Sequence, residues 1–340
     1  KFSSHSHGFR PGRSCHTAIA QARQYVEDGY GWVVDIDLKD FFNKVNHQRL
    51  MARLGRDIDD ERILWLISRM LKAKTIMPNG VKVSGEEGVP QGGPLSPLLS
   101  NVVLDELDTE LSRRGHCFVR YADDANIYVR SERAGLRVMA GIKKFIETRL
   151  RLEVNLAKSA VAKPEDRHFL GFSLKRNLDG DVAIHLSQRS RERLASKTKE
   201  LTPRKYSGSI STCIKGLNSY LVGWFGFFHI CTEESLSTLQ TVDAHTRRRL
   251  RAIQLKHWKR KRTIAKQLIK RGANVRSAWR GIYSGQKSLW ALSHCAVVDR
   301  TLDNSHWAKA GLKFLSDLWL HRNRSGLDHS QGTLFPRIGI

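Results

Sequence analysis

The chain has 340 residues, with 58 Lys+Arg against 33 Asp+Glu, a formal net charge of +25 and a pI near 10.2. That charge is the footprint of a polyanion binder, and the length allows two domains. No 18-residue apolar run is present to span a membrane, and five cysteines at 15, 117, 213, 231 and 295 without a Cys-x-x-Cys pair read as reduced thiols, not as a zinc site or disulfide framework.

The charge is uneven: residues 1–200 hold 34 Lys+Arg against 26 Asp+Glu, and residues 201–340 hold 24 against 7. In chain order, Ser14 is a candidate N-cap for a helix over 15–27 that Gly29 ends. The segment Gly31-Trp-Val-Val-Asp-Ile-Asp-Leu38 alternates as a strand, with Val34, Ile36 and Leu38 on one face and Asp35 and Asp37 on the other. A helix is expected over 61–74, where Ile63, Leu64, Ile67, Met70 and Leu71 recur at helical spacing, and a short strand at Val81-Lys-Val83. After the Gly-rich turn at 88–93, Ser96 as N-cap and Pro97 at the first helical position predict a helix to Arg113. A β-hairpin then runs from His116 to Val129 with Asp123 and Asp124 at its tip. It is followed by a helix over 134–150 and short strands near 152–162, 168–175 and 181–186. From Ser187 onward the pattern is helical: residues 210–228 are aromatic and apolar, and residues 247–262 carry nine Lys/Arg interleaved with Leu250, Leu255 and Trp258.

Two adjacent carboxylates on a tight turn repel, each raising the other's pKa unless a cation intervenes. Their hard oxygens suit Mg²⁺, which substrate phosphates and water complete. A two-metal phosphate site needs bridging carboxylates from separate elements, and a strand Asp facing the hairpin tip supplies one. Taken alone, the pair also fits an ordinary Asp-rich turn, and the strand Asp a solvated edge position. The basic run gives an amphipathic helix whose charged face suits phosphates, with no acidic partners for i,i+4 pairing.

In combination these segments resemble the reverse transcriptase encoded by group II introns, of the endonuclease-lacking bacterial type. Six blocks carry the resemblance in family order: Gly8-Phe-Arg-Pro-Gly-Arg-Ser-Cys-His16, Asp37-Leu-Lys-Asp-Phe-Phe-Asn-Lys-Val-Asn-His47, Gly88-Val-Pro-Gln-Gly-Gly-Pro-Leu-Ser-Pro-Leu-Leu-Ser-Asn101, Tyr121-Ala-Asp-Asp124, Leu150-Arg-Leu-Glu-Val-Asn-Leu-Ala-Lys-Ser159 and Phe169-Leu-Gly-Phe172. The resemblance implies an α+β fold: a remnant of the fingers over 1–30, a right-hand polymerase palm with an antiparallel sheet over 31–186, and an all-α thumb or maturase domain over 187–340. It implies RNA-directed DNA synthesis, with Asp37, Asp123 and Asp124 as catalytic ligands of two Mg²⁺ ions (Mn²⁺ can substitute), together with maturase binding of intron RNA in splicing and retrohoming.

Further roles follow from the resemblance. Phe42 matches the steric gate that rejects a 2′-hydroxyl, with a core phenylalanine beside Phe41 as the alternative. Gln91 corresponds to a residue at the incoming nucleotide, and Lys158 to a lysine near the departing pyrophosphate, or else to a solvated loop lysine. Arg10 and Arg13 are candidates for template contacts, and Arg247, Arg248, Arg249, Arg251, Lys256, Lys259, Arg260, Lys261 and Arg262 for RNA binding. The implied partners are intron RNA, an RNA template with a DNA primer and target DNA, and dNTPs, without zinc or membrane, in a bacterial cytoplasm or on the nucleoid. The chain starts after the family's fingers hairpin, which clamps the triphosphate, so a complete nucleotide pocket is not expected from these residues. A host-adapted relative serving repair or phage defence would share this palm, and a splicing cofactor without polymerase activity would share the basic helices.

Overall fold

The computed structural model describes residues 2–73, 75–76, 82–83, 87–89, 93–232, 235–285 and 287–324. It falls into two compact units, Lys1–Ile184 and His185–Ile340.

The first unit opens with α1 (Cys15–Glu27), capped as expected: Ser14 and Thr17 form a reciprocal capping box, which satisfies two otherwise orphaned N–H groups. β1 (Trp32–Ile36) and the short β2 (Leu38–Lys39) follow, then α2 (Phe41–Lys44), α3 (His47–Leu54) and α4 (Glu61–Leu71). A two-stranded pair, β3 (Thr75–Ile76) with β4 (Lys82–Val83), precedes the long α5 (Ser96–Arg113). Here Leu95 is the cap, not Ser96, which starts the helix itself with Pro97 second. Pro97 is tolerated there because its missing N–H would have no intrahelical partner.

β5 (Cys117–Tyr121) and β6 (Asp124–Val129) form the expected hairpin. α6 (Glu132–Phe145) is capped by Ser131 and runs into one π-helical turn, Ile146–Leu150. Arg151 in the left-handed region ends it, and the Leu152 N–H returns to the Ile146 carbonyl. β7 (Glu153–Val154), β8 (Ala160–Ala162), β9 (Phe172–Arg176) and β10 (Val182–Leu186) complete the series.

The main sheet has the order β5-β6-β1-β8, with every neighbouring pair antiparallel. β1 is therefore internal, and its burial follows from that place. Val34 and Ile36 join a core that includes Leu104, Leu107 and Leu111 of α5 and Ile142 of α6, while Val33 is buried too. Burying side chains of this size contributes about 1.5–3 kcal/mol each relative to exposure. Asp35 therefore sits on an internal strand and not at a solvated edge. An antiparallel sheet covered by helices is the α+β palm the resemblance implied.

The second unit is helical: α7 (Gln188–Leu201), α8 (Ile210–Phe228), α9 (Leu236–Trp258), α10 (Lys261–Lys270), α11 (Val275–Tyr283), α12 (Leu289–Leu292), α13 (Ala296–Thr301), α14 (Asn304–Lys309) and α15 (Leu315–Arg324). α8 buries Cys213, Ile214, Leu217 and Leu221 along one stripe. Asp243 of α9 is buried with its carboxylate accepting from the Leu315 and Ser316 N–H groups and the Ser316 hydroxyl, so it caps α15. Trp307 is fully enclosed, its indole N–H donating to the Leu302 carbonyl. All five cysteines are free thiols; burial pushes Cys213 up to about 11 and Cys231 up to about 12, so neither is a ready nucleophile. No helix among the described residues is long and apolar enough to cross a membrane.

Candidate active site and nucleic-acid surface

β1 ends where its chemistry begins. The last ladder pair with β6 is Ile36↔Ala125, so the next residues in register are Asp37 and Asp124. At Asp37 the backbone leaves β6: its N–H donates to Ser159 Oγ at 3.0 Å and its carbonyl accepts from the Asn155 N–H at 2.9 Å. The loop 155–159 thus fixes the bend that presents Asp37. Across from it, Ala122 and Asp123 form the two-residue tip of the hairpin, and Asp124 opens β6 opposite Tyr121. Ala122 sits at φ +57°, a region that costs a residue with a Cβ roughly 1–2 kcal/mol.

Electrostatics couples these acids. Crowding by protein pushes the Asp124 carboxyl up to about 6, although its side chain reaches solvent; the charges of Asp123, Asp35 and Asp37 push the same way and Lys158 opposes them. The Lys158 ammonium lies 3.7 Å from the Asp37 carboxylate. Among the described residues no three His, Cys, Asp or Glu side chains converge as a preformed metal cage. Asp35, one turn of the pleat away, is held by Arg167 at 2.9 and 2.5 Å, and Arg167 also donates to the Lys158 carbonyl. Asp35 is therefore a structural acid that anchors the Lys158 loop, and Asp40 is an exposed left-handed residue at the start of α2.

Phe42 is half-buried and meets Phe41 edge-on, centroids 5.3 Å apart. Its carbonyl accepts from the Val89 N–H at 2.6 Å, the Gly88 N–H donates to the Val45 carbonyl at 2.8 Å, and His47 Nε2 donates to the Gly88 carbonyl at 2.5 Å. Residues 42–47 and 88–89 are laced together in this way, which brings Gly88 and Val89 to Phe42. Gly88 is required there: its φ is +94° and a Cβ would lie 3.1 Å from the Phe42 carbonyl. Gln91 and Gly92 lie outside the described residues.

Arg10 is a correction to the sequence reading. Its guanidinium donates to the carbonyls of Ser3, Ser6 and Phe2, so it folds the N-terminal segment and is held away from a free template-binding role. Arg13 is exposed.

The basic run is likewise sorted by the fold. It is two helices and not one, broken where Lys259 takes φ +62° between α9 and α10. Arg249 is buried and spends its donors on Thr202 Oγ1, the Thr202 carbonyl and the Lys199 carbonyl. Arg251 is buried against Asp299. Both tie helices together, Arg249 to the end of α7 and Arg251 to α13. Arg247 lies over Phe314 and Arg248 over Trp290, whereas Lys256, Lys259, Arg260 and Arg262 are exposed. Lys261 is half-buried, donating to the Gly285 carbonyl and lying over Tyr283.

A second basic feature escaped the sequence reading. A cavity of about 790 Å³ opens among α11, α13 and α14, and exposed Arg271, Arg280, Lys287, Arg300 and Lys309 line it with Asp303 as the one carboxylate. These cations are scattered over forty residues, so no run marks them. Their trace in the sequence is the persistence of positive charge beyond residue 262.

Residues 1–174 match the family profile described as reverse transcriptase (RNA-dependent DNA polymerase), and residues 191–272 match the group II intron maturase-specific domain. Protein YkfC of Escherichia coli (strain K12) is 30% identical over 249 residues, covering 60% of this chain and 65% of that protein. The group II intron-encoded protein LtrA of Lactococcus lactis subsp. cremoris is 42% identical over 103 residues, covering 30% of this chain and 17% of that protein. Among solved structures, apo telomerase from Candida tropicalis superposes with a TM-score of 0.44 at 13% identity, covering 90% of this chain and 55% of that one. The chain spans less than two thirds of the length of each.

Proposed function

The chain belongs to the reverse transcriptase family and carries the maturase-specific domain of group II intron proteins, and from that premise we propose that it is an RNA-directed DNA polymerase that also binds intron RNA. The observation that carries the polymerase reading is the strand register that ends β1 one residue before Asp37, in register with Asp124 at the start of β6, with Asp123 on the hairpin tip.

Asp37, Asp123 and Asp124 would hold the divalent ions. Their donors are all hard carboxylate oxygens, and the negative charges of Asp123, Asp35 and Asp37, which add to the effect of burial on Asp124, favour added positive charge there. Bound there, Mg²⁺ would activate a primer 3′-hydroxyl and neutralise the triphosphate. The protein's own contribution is positional. The Ser159 and Asn155 hydrogen bonds hold the Asp37 backbone, and the hairpin turn holds Asp123. Lys158, beside Asp37, is well sited to meet negative charge on the departing pyrophosphate. Phe42, braced against Phe41, offers a ring edge that would exclude a 2′-hydroxyl.

The nucleic-acid reading of the second unit is supported by its matched domain, by exposed Lys256, Lys259, Arg260 and Arg262, and by the cation-lined cavity. Counterion release from a polyanion would supply the affinity, so binding should weaken steeply with salt. Intron splicing and retrohoming are the processes this pairing of domains suits. The reading is tested by extending a DNA primer on an RNA template with dNTPs and Mg²⁺: extension is expected, and its absence at every template and divalent ion tried would overturn the proposal.

A further inference from the structure

The tip of the hairpin is held from behind by groups that the chemistry above does not use. Arg120, in β5, is fully buried, and all five of its guanidinium hydrogens are engaged. Nε and Nη2 grip Asp108 of α5 at 2.7 and 2.6 Å, Nη2 also donates to Ser6 Oγ at 2.8 Å, and Nη1 donates to Asn101 Oδ1 at 3.0 Å and to the Ala122 carbonyl at 2.8 Å. The last of these bonds fixes the strained first residue of the Ala122-Asp123 turn.

A strap of N-terminal chain closes this assembly. The Arg120 N–H donates to the His5 carbonyl at 2.9 Å and the His7 N–H donates to the Arg120 carbonyl at 2.8 Å, so residues 5–7 run along β5. His7 is buried, with its ring nitrogens on Thr17 Oγ1 and Gln21 Oε1 of α1. Asn101 Nδ2 donates to the Gly8 carbonyl at 2.9 Å. At Gly8 the strap touches the turn itself: a Cβ built there would sit 2.4 Å from the Ala122 nitrogen and 3.1 Å from the Tyr121 carbonyl carbon. Both are backbone atoms, which cannot rotate away. Gly8 is not among the residues with positive φ, so its requirement for glycine is steric.

We propose that Gly8 and Arg120 are positioning residues for nucleotide addition. The bare Gly8 backbone and the Arg120 guanidinium together set where the Ala122-Asp123 turn, and with it the Asp123 carboxylate, stands relative to Asp37. Neither reaches substrate; each acts through the turn. A misplacement of about an ångström at reacting groups can cost about 10²-fold in rate. The strap therefore acts on the active site through the backbone of the turn.

This rests on the polymerase reading, so the experiment separates the two. Single-nucleotide addition to a DNA primer on an RNA template is measured first for the wild type and for Asp123→Ala. Activity in the first and its loss in the second secure the reading before the strap is tested; otherwise the reading, and not the strap, has failed. Gly8→Ala is then expected to lower kcat for addition tenfold or more at an assay temperature well below its thermal midpoint, with KM for dNTP and template-primer affinity within twofold of wild type. Gly31→Ala, where no atom lies within 4 Å of the added methyl and φ is not positive, is expected to behave as wild type. Ser6→Ala, which removes one acceptor from Arg120 and adds no bulk, is expected to lower kcat two- to fivefold with the same unchanged KM. Wild-type kcat in Gly8→Ala would overturn the proposal. So would a fall in kcat that only tracks a lowered thermal midpoint in both Gly8→Ala and Ser6→Ala, since that is the signature of a merely structural role.

Discussion

The two ends of this chain use charge in opposite ways. Around Asp37 the carboxylates reinforce one another: burial raises Asp124 most, the charges of Asp123, Asp35 and Asp37 add to it, and the Lys158 cation opposes them. In the second unit the cations are sorted into those that hold helices together, Arg249 and Arg251, and those left to solvent, such as Lys256, Arg260 and the residues lining the cavity. The contrast teaches that a cluster of like charge marks a ligand only where the fold leaves it uncompensated. Asp35 makes the same point inside the acidic region, because Arg167 neutralises it two residues from Asp37.

The largest expected effect breaks the acidic side. Asp123→Ala should lower the rate of primer extension by about 10³-fold or more, because it removes charge stabilisation realised in the transition state. Retained activity would show that the turn is only a turn.

Next comes a paired test of the basic side. Arg249→Ala strips a buried donor from three acceptors and should destabilise the second unit by about 3 kcal/mol in chemical denaturation, with the salt dependence of RNA affinity unchanged. Neutralising Lys256, Lys259, Arg260 and Arg262 to Gln should do the reverse: the slope of log affinity against log salt falls by about one for each phosphate no longer neutralised, at unchanged stability. If the two sets exchange phenotypes, the sorting by burial is wrong.

A smaller effect concerns the half-buried ring. Phe42→Ala should raise incorporation of ribonucleotides relative to deoxynucleotides by about tenfold, since removing a steric clash is worth one to a few kcal/mol. Unaltered discrimination would leave Phe42 as core packing beside Phe41.

The smallest is a matter of pH. The Asp124 carboxyl sits at about 6 in the folded chain against an ordinary value of 3.8, so its charged form is disfavoured by folding. Stability is then lost as pH rises from about 4 through 6, and the full cost stands above 6. Asp124→Asn should stabilise the metal-free protein at pH 7 by about 1 kcal/mol, a figure discounted for the solvent that reaches this side chain, and by nothing at pH 4. Added Mg²⁺ should narrow the gap. A thermal-denaturation series over pH reads both.

Much of this was legible in the sequence because it depends on local rules. Alternation along 32–38 put Asp35 and Asp37 on one face, Ser14 and Gly29 framed α1, and the apolar strands around Ala122-Asp123 defined the hairpin. Choosing Asp37 over Asp35 needed the family motif, and the Arg167 pairing supplies the physical reason. What the sequence hid is whatever depends on how the chain folds back on itself. Nothing near Arg10 says that Phe2, Ser3 and Ser6 will accept its donors, and the spacing of 247–262 cannot tell buried Arg249 from exposed Lys256. Arg120 reads as one alternating strand residue until Asp108, Asn101 and Ser6 converge on it.

Mn²⁺ binding followed by electron paramagnetic resonance asks whether Asp37, Asp123 and Asp124 jointly hold divalent ions at a primer end. With template-primer and dNTP present, two bound ions per chain are expected in the wild type and loss of at least one in Asp37→Asn. Identical Mn²⁺ occupancy in the two proteins would contradict joint binding.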